Sequence, residues 1–259
     1  MNRLRLILIT IVSATFGAPT AFGALLITEN FDSNPSNWTT RVDTSGAPAN
    51  PSTVGFSNTN DASGTSGAGE AAGGVRNNNT FEYYADTTNI SGLSGDGGDI
   101  LTSTGRFRVD VNAVVAPESY IGWFDTASTD VRRDGLGFSI KDEDTDTWRI
   151  RLEARQGNTE LYDDNFQDTI EMASGSILDW EFTYDPAGNS GMGRIDATFT
   201  LVSGTVENDD QGNTNETTPG FTINTALDLT ANPDVDYDAF GWATRTRGSD
   251  DVSADGDIF

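Results

Sequence analysis

From about residue 100 onward the chain is a series of short runs in which apolar and polar residues alternate. The plainest are Arg106-Phe107-Arg108-Val109-Asp110-Val111, Tyr120-Ile121-Gly122-Trp123-Phe124, Leu136-Gly137-Phe138-Ser139-Ile140 and Trp148-Arg149-Ile150-Arg151-Leu152-Glu153-Ala154. Trp180-Glu181-Phe182-Thr183-Tyr184, the run Arg194 to Leu201 and the run Ala239 to Thr244 continue the series. Successive side chains of an extended backbone point to opposite sides, so a period of two marks strands with one buried face. The runs are rich in β-branched and aromatic residues, and Gly, Asn, Asp and Ser divide them, as in antiparallel strands joined by turns. Helical periodicity is hard to find after the N-terminal segment. Roughly a dozen strands exceed what one open sheet usually holds, which predicts an all-β fold of two antiparallel sheets packed face to face.

Two stretches break this rhythm. Residues from about 46 to 79 are rich in Gly, Ala, Ser and Asn, with few large apolar groups beyond Val54, Phe56 and Val75, and about 207 to 220 form a second polar insert. Both are predicted to be surface loops, either solvated spacers or the kind of long loop on which binding sites sit. At the C-terminus, Asp257-Ile258-Phe259 begins an alternating run with no polar tail after it, which predicts a chain truncated within an edge or central strand.

The N-terminus follows another rule. Arg3 and Arg5 precede an apolar core from Leu6 to Val12, and Ala21-Phe22-Gly23 has the small-x-small pattern of a cleavage site. That is the layout of a signal peptide, a helix removed on export, with cleavage after Gly23 and with Ala21 and Ala24 as neighbouring options. A membrane-spanning helix needs roughly 20 apolar residues, and Pro19 interrupts this run first. The sequence therefore predicts a signal peptide over 1–23, a single sandwich domain over 24–259 and a mature chain without a transmembrane segment, secreted or held at the cell surface or in the periplasm.

Charge narrows the partners. The 259 residues carry 40 acidic against 15 basic side chains, for a formal charge of −25, and Lys141 is the only lysine. Such a surface repels nucleic acid and anionic lipid. An Asp-rich, Lys-poor surface suits salty water, where screening shortens self-repulsion to a few ångströms, so a saline extracellular setting is expected. Cysteine and histidine are both absent, which leaves stability to the core or to metal ions and removes the commonest general base.

The runs do carry candidate chemistry. Period-two geometry puts Arg149, Arg151, Glu153 and Arg155 on one face of a strand and Ile150, Leu152 and Ala154 on the other; Arg106 with Arg108, and Arg245 with Arg247, repeat the arrangement. Such a face can grip sugar hydroxyls, carboxylates or sulfates through forked hydrogen bonds. It can equally be a set of cross-strand Arg–Asp and Arg–Glu pairs of small energetic weight. Among the five tryptophans, Trp148 and Trp180 share parity with apolar neighbours and are expected in the core. Trp123 and Trp242, each following a glycine, are the candidates for an exposed sugar-stacking platform. Asp142, Asp144 and Asp146 have the alternate-acid spacing of a calcium loop, repeated at Asp234, Asp236 and Asp238, without the glycine and glutamate of an EF-hand. The alternatives there are a structural calcium and an acidic, solvated hairpin turn.

Several segments together carry a family resemblance. Thr28-Glu29-Asn30-Phe31-Asp32, Gly55-Phe56-Ser57-Asn58-Thr59-Asn60, Gly69-Glu70-Ala71-Ala72-Gly73-Gly74, Tyr83-Tyr84-Ala85-Asp86, Ile121-Gly122-Trp123-Phe124-Asp125 and Leu136-Gly137-Phe138 resemble exported bacterial proteins, frequent in planctomycetes, of the concanavalin A-like (laminin G-like) superfamily. The resemblance implies a jelly-roll sandwich with one concave sheet that holds a glycan or a protein ligand or, in some branches, a hydrolase or lyase site. It also implies a final strand resembling Phe-Asp-Asp-Leu-Thr-Tyr, absent before Phe259. The glucanase motif Glu-x-Asp-x-x-Glu has no match. Arg151-Leu152-Glu153-Ala154-Arg155 fits the Arg-x-Glu-x-Arg strand motif of alginate lyases, whose partner Gln-x-His motif is impossible in a chain without histidine. The expectation is a non-catalytic extracellular domain that binds a glycan or another surface ligand. The alternatives are a polysaccharide lyase or glycoside hydrolase of the same fold and a purely structural surface or matrix protein.

Overall fold

The computed structural model describes residues 33–41, 53–57, 70–75, 82–90, 92–96, 98–111, 118–128, 134–142, 147–162, 169–209, 211–245 and 256–258. In chain order the strands are β1 Trp38–Arg41, β2 Thr53–Ser57, β3 Glu70–Val75, β4 Tyr83–Asp86, β5 Leu93–Ser94, β6 Leu101–Val111, β7 Glu118–Phe124, β8 Asp134–Asp142, β9 Thr147–Gln156 and β10 Thr159–Glu160. They continue with β11 Ile170–Ala173, β12 Ile177–Asp185, β13 Arg194–Ser203, β14 Val206–Asn208, β15 Thr214–Glu216, β16 Thr222–Asp228, β17 Asp236–Tyr237, β18 Ala239–Arg245 and β19 Gly256–Ile258. Helix is confined, among the described residues, to one turn at Gly188–Gly191, and no helix there is long and apolar enough to cross a membrane.

The larger sheet has the order β1-β4-β18-β7-β8-β9-β11-β14-β15, with β10 folded back onto β9; the smaller has the order β16-β13-β12-β6-β19-β3-β2. Their ladders are antiparallel. Alternation decides which face each strand buries. On β9, Trp148, Ile150, Leu152 and Ala154 are buried in the main core, and on β12 Leu178, Trp180, Phe182 and Tyr184 are. The two inward faces meet through their rings. Phe138 of the larger sheet lies 5.9 Å from Phe107, 5.3 Å from Trp180 and 5.4 Å from Phe199, and Trp123 lies 5.6 Å from Phe182. Each such ring adds about 1.5–3 kcal/mol through burial, and the tilted and edge-on pairings add to this. The fold is thus all-β and sandwich-like, as the alternation predicts.

Both expected loops are corrected in part. Within 46–79, β2 and β3 pair from Thr53↔Gly74 to Ser57↔Glu70, and Phe56 and Ala71 pack against the main core. Gly and Ala are weak strand formers, so the Ala71–Gly74 segment lacks the bulk by which strands are recognised in sequence. Within 207–220, β14 and β15 pair at the edge of the larger sheet. Asp209, 3% exposed, closes their turn by accepting hydrogen bonds from the backbone N–H groups of Gln211 (3.0 Å) and Asn213 (2.8 Å) and from Asn213 Nδ2 (2.9 Å). An edge strand is free to be polar, so this hairpin reads as a loop. The C-terminal run is β19, which lies inside the smaller sheet between β6 and β3.

One buried carboxylate fixes the first strands. Asp86, 1% exposed, accepts from the backbone N–H groups of Thr88 and Asn89 (2.9 Å each), from Asn89 Nδ2 (2.8 Å) and from Asn37 Nδ2 beside β1 (2.7 Å). Burial pushes its pKa up, but the hydrogen bonds from Asn89, Thr88 and Asn37 together outweigh it and hold the carboxyl below its ordinary value. A depressed folded-state pKa adds stability above the unfolded value, about 3.9, and that contribution disappears as pH falls through the folded value. Asp86→Asn is therefore expected to lower the unfolding midpoint most at neutral pH, with the gap to wild type closing in acid. A gap independent of pH contradicts this.

Candidate functional site

The face of the larger sheet turned away from the core carries the arginine row. On β9, Arg149 and Arg151 are half-buried, whereas Glu153 and Arg155 are buried at 2% and 8% exposure. Register sets their neighbours on β8: Lys141 opposite Arg149, Ser139 opposite Arg151, Gly137 opposite Glu153 and Gly135 opposite Arg155. One end of the row is polar, partly exposed and cross-paired, since Arg149 Nη2 lies 3.3 Å from Glu171 Oε1, directly across on β11. The other end is pinned. Glu153 Oε1 accepts from Ser139 Oγ at 2.8 Å and Oε2 from Arg155 Nε at 3.3 Å, and Arg155 Nη2 also pairs with Glu160 on β10. A buried ion pair is tolerated when further hydrogen bonds satisfy both partners, and Ser139 and Glu160 supply them.

A floor of glycines continues this face across the sheet. Gly241 of β18, Gly122 of β7 and Gly137 of β8 are register partners in one row. A Cβ on Gly137 would lie 2.1 Å from the carbonyl oxygen of Ile121, and one on Gly122 would lie 2.4 Å from that of Leu136. The bare backbone lets the Tyr120 ring lie along its own strand, where its hydroxyl donates to the Trp123 carbonyl at 3.2 Å. Tyr83, Ala85, Tyr120, Phe124, Ala239 and Ala243 form a second buried apolar cluster on this same face, with the Tyr83 and Phe124 rings 5.5 Å apart.

Electrostatics at this face favour neutral phenols. Burial, followed by the field of Tyr237 and of Glu153, drives the Tyr120 hydroxyl well above its ordinary pKa, with Arg155 only partly opposing. Burial does the same to Tyr237 in the main core, with Tyr184 and Asp134 adding to it. At neutral pH both are protonated and not bases, and Tyr120 donates to the Trp123 carbonyl. Beside them, burial pushes Asp125 up, the Ala127 N–H pulls it down, and Asp238, Asp134 and Asp236 repel its charge.

The arginine and glutamate positions share one face, as the alternation predicts. Trp123 and Trp242 do not: each is 4% exposed and sits in the main core. Their neighbours Gly122 and Gly241 occupy the outer face, so the Gly-Trp pairs mark a bare outer backbone above an inward indole. Trp148 and Trp180 are buried as expected. Arg106 is bonded to Asp179, at 2.6 and 2.9 Å, directly across on β12, and Arg194 to Asp228 across on β16, the simple cross-strand pairing. Sequence reasoning missed Tyr120, Ser139 and Glu160. Tyr120 and Ser139 could have been found, because they alternate with inward residues on β7 and β8; the Glu160 contact depends on the turn that returns β10 onto β9.

For a metal the described residues offer little. Among them no group of three or more acidic side chains converges as a metal site. Of the second acidic run, Asp238 accepts from the backbone N–H and hydroxyl of Thr126, at 2.7 and 2.6 Å. Asp144 and Asp146 lie outside the described residues, as do the segment 1–23, Asp32, Arg247 and Phe259, and Asp142 is described in its backbone alone. The chain matches no protein-family model and no curated protein.

Proposed function

We propose that this is an exported, non-catalytic jelly-roll sandwich that binds an extracellular glycan, or another surface ligand bearing carboxylate or sulfate groups, on the outer face of its larger sheet. The observation that carries this reading is the graded arginine row of β9. Arg155 is locked by Glu153 and Glu160, while Arg149 and Arg151 stay half-buried at the open end on the same rigid strand. A guanidinium held on a sheet presents its fork at little entropic cost, which suits planar anionic groups. The non-catalytic part of the reading is supported by the protonated phenol of Tyr120, the commitment of Glu153 to Ser139 and Arg155, and a composition without histidine.

Arg149–Glu171 favours a second reading, in which the row is a structural cross-strand ladder and the protein is a surface or matrix component. Affinity electrophoresis in gels containing uronate-rich or sulfated polysaccharides separates the two. Retardation by one of these polymers, weakened about tenfold by Arg151→Ala with the unfolding midpoint unchanged, supports the binding reading. Equal migration of wild type and variant in every gel supports the structural one.

A further inference from the structure

Strand β16 ends the smaller sheet, and a side chain stands where a further strand would lie. It pairs with β13 from Arg194↔Asp228 to Thr200↔Thr222. On its other edge Gln211 Nε2 donates to the Asn224 carbonyl at 2.8 Å, and among the described residues no strand pairs there. Main-chain groups of a strand point alternately to one neighbour and to the other. Because the Asn224 carbonyl points outward, the main-chain groups of Thr222, Ala226 and Asp228 do so as well. Gln211, Thr222, Asn224 and Asp228 are all exposed, so one surface side chain covers this edge at Asn224.

One residue of β16 does not suit the interior. Ile223, Thr225 and Leu227 turn inward and are buried. The hydroxyl of Thr225, a residue 7% exposed, finds no hydrogen-bond partner among the described residues. A buried hydroxyl without a partner costs stability, and a valine of similar shape would avoid that cost. Thr225 is also the centre of a self-complementary stretch, Thr222-Ile223-Asn224-Thr225-Ala226-Leu227-Asp228. Two such strands laid antiparallel about Thr225 set Ile223 of each against Leu227 of the other in the apolar layer. On the solvent side they set the Thr222 hydroxyl opposite the Asp228 carboxylate.

We infer that β16 is a self-association edge, on which a second copy of this chain lays its own β16 antiparallel about a two-fold axis at Thr225. Asn224 of each copy and Ala226 of the other then exchange main-chain hydrogen bonds through their outward groups, with Gln211 swung aside. Thr225 meets its equivalent in a pair without main-chain bonds, where side chains approach most closely, at a Cα separation of about 4.5 Å. Rotation about χ1 exchanges hydroxyl and methyl and lets the two hydroxyls bond each other, a favourable cross-strand pair. A slip of one residue turns the apolar set outward. A shift of the centre to Asn224 or Ala226 sets each Thr225 against Ile223 or Leu227 and leaves its hydroxyl unmet. The axis stands perpendicular to the sheet, so both copies turn the outer faces of their larger sheets the same way. The interface itself does not depend on what those faces bind.

Sedimentation equilibrium of the purified protein is expected to show a monomer–dimer equilibrium that tightens between about 0.1 and about 1 M NaCl. Salt screens the repulsion between two chains that each carry a formal charge of −25. Thr225→Val is expected to raise the unfolding midpoint of the dilute monomer and yet to weaken dimerisation about tenfold. Ala226→Pro removes an outward N–H that β13 does not use, a change an edge strand tolerates, and is expected to abolish dimerisation. In this cysteine-free chain, Thr225→Cys is expected to give a disulfide-linked dimer on mild oxidation, because a Cα separation of about 4.5 Å lies within disulfide range. Ile223→Cys and Leu227→Cys are expected to link when mixed with each other and not when alone. A monomer at every concentration and salt overturns the inference, since Gln211 then closes the edge against pairing. A dimer that Ala226→Pro leaves intact, or self-linking at 223 or 227 as fast as at 225, overturns it as well.

Discussion

Phe138→Ala is expected to destabilise the protein by about 3–5 kcal/mol, measured as a lower urea midpoint with unchanged slope. Phe138 is 1% exposed and is the ring through which β8 meets β6, β12 and β13 at once, by way of Phe107, Trp180 and Phe199. Those four aromatics come from both sheets, so the cavity left by the substitution opens in the interface between layers, where neither sheet can close it alone. Ile100→Ala is the control, because Ile100 is 61% exposed and its loss is expected within about 0.5 kcal/mol of zero. A cost below about 1 kcal/mol for Phe138→Ala means that the two layers do not pack through this ring.

Much of this packing is legible before any coordinates. Phe138 belongs to a run in which Leu136, Phe138 and Ile140 alternate with Gly137 and Ser139, and the same period of two places Phe107, Trp148, Trp180 and Phe199 correctly inside. The pattern fails where bulk is missing or where the partner lies far away in sequence. Ala71 to Gly74 form a strand because β2 and β19 flank them, which nothing local announces. Trp123 and Trp242 show another failure: a glycine beside a tryptophan says that one face is bare, and sequence alone does not say which. Within the candidate site, the shared face of Arg149, Arg151, Glu153 and Arg155 is readable from spacing. That Glu153 and Arg155 are pinned and buried while Arg149 and Arg151 are half-buried depends on Ser139 and Glu160, which other strands bring in.

Glu153→Ala is expected to cost about 3 kcal/mol, a large loss for a charged residue on a sheet face. The substitution leaves the Ser139 hydroxyl, 0% exposed, without its acceptor and leaves Arg155 buried with Glu160 as its remaining carboxylate. Glu153→Gln keeps an acceptor oxygen and the shape of the side chain, and is expected to cost about 1 kcal/mol. By comparison, Asp179→Ala, which breaks the exposed pair with Arg106, should lie within the small range of surface ion pairs, below about 1 kcal/mol. Equal losses from Glu153→Ala and Asp179→Ala in urea unfolding contradict the buried network. They would place the whole row in solvent, and the rigid support on which the proposed binding role of Arg149 and Arg151 rests would be gone.

Because the chain contains no cysteine, single cysteines placed in turn at Arg149, Ile150, Arg151 and Leu152 report directly on which way β9 faces. Reaction of the folded variants with a charged thiol reagent is expected to be fast at 149 and 151 and to require unfolding at 150 and 152. Even reactivity along the four positions, or fast labelling at 150 and 152, contradicts an arginine face laid over the outside of a two-sheet core.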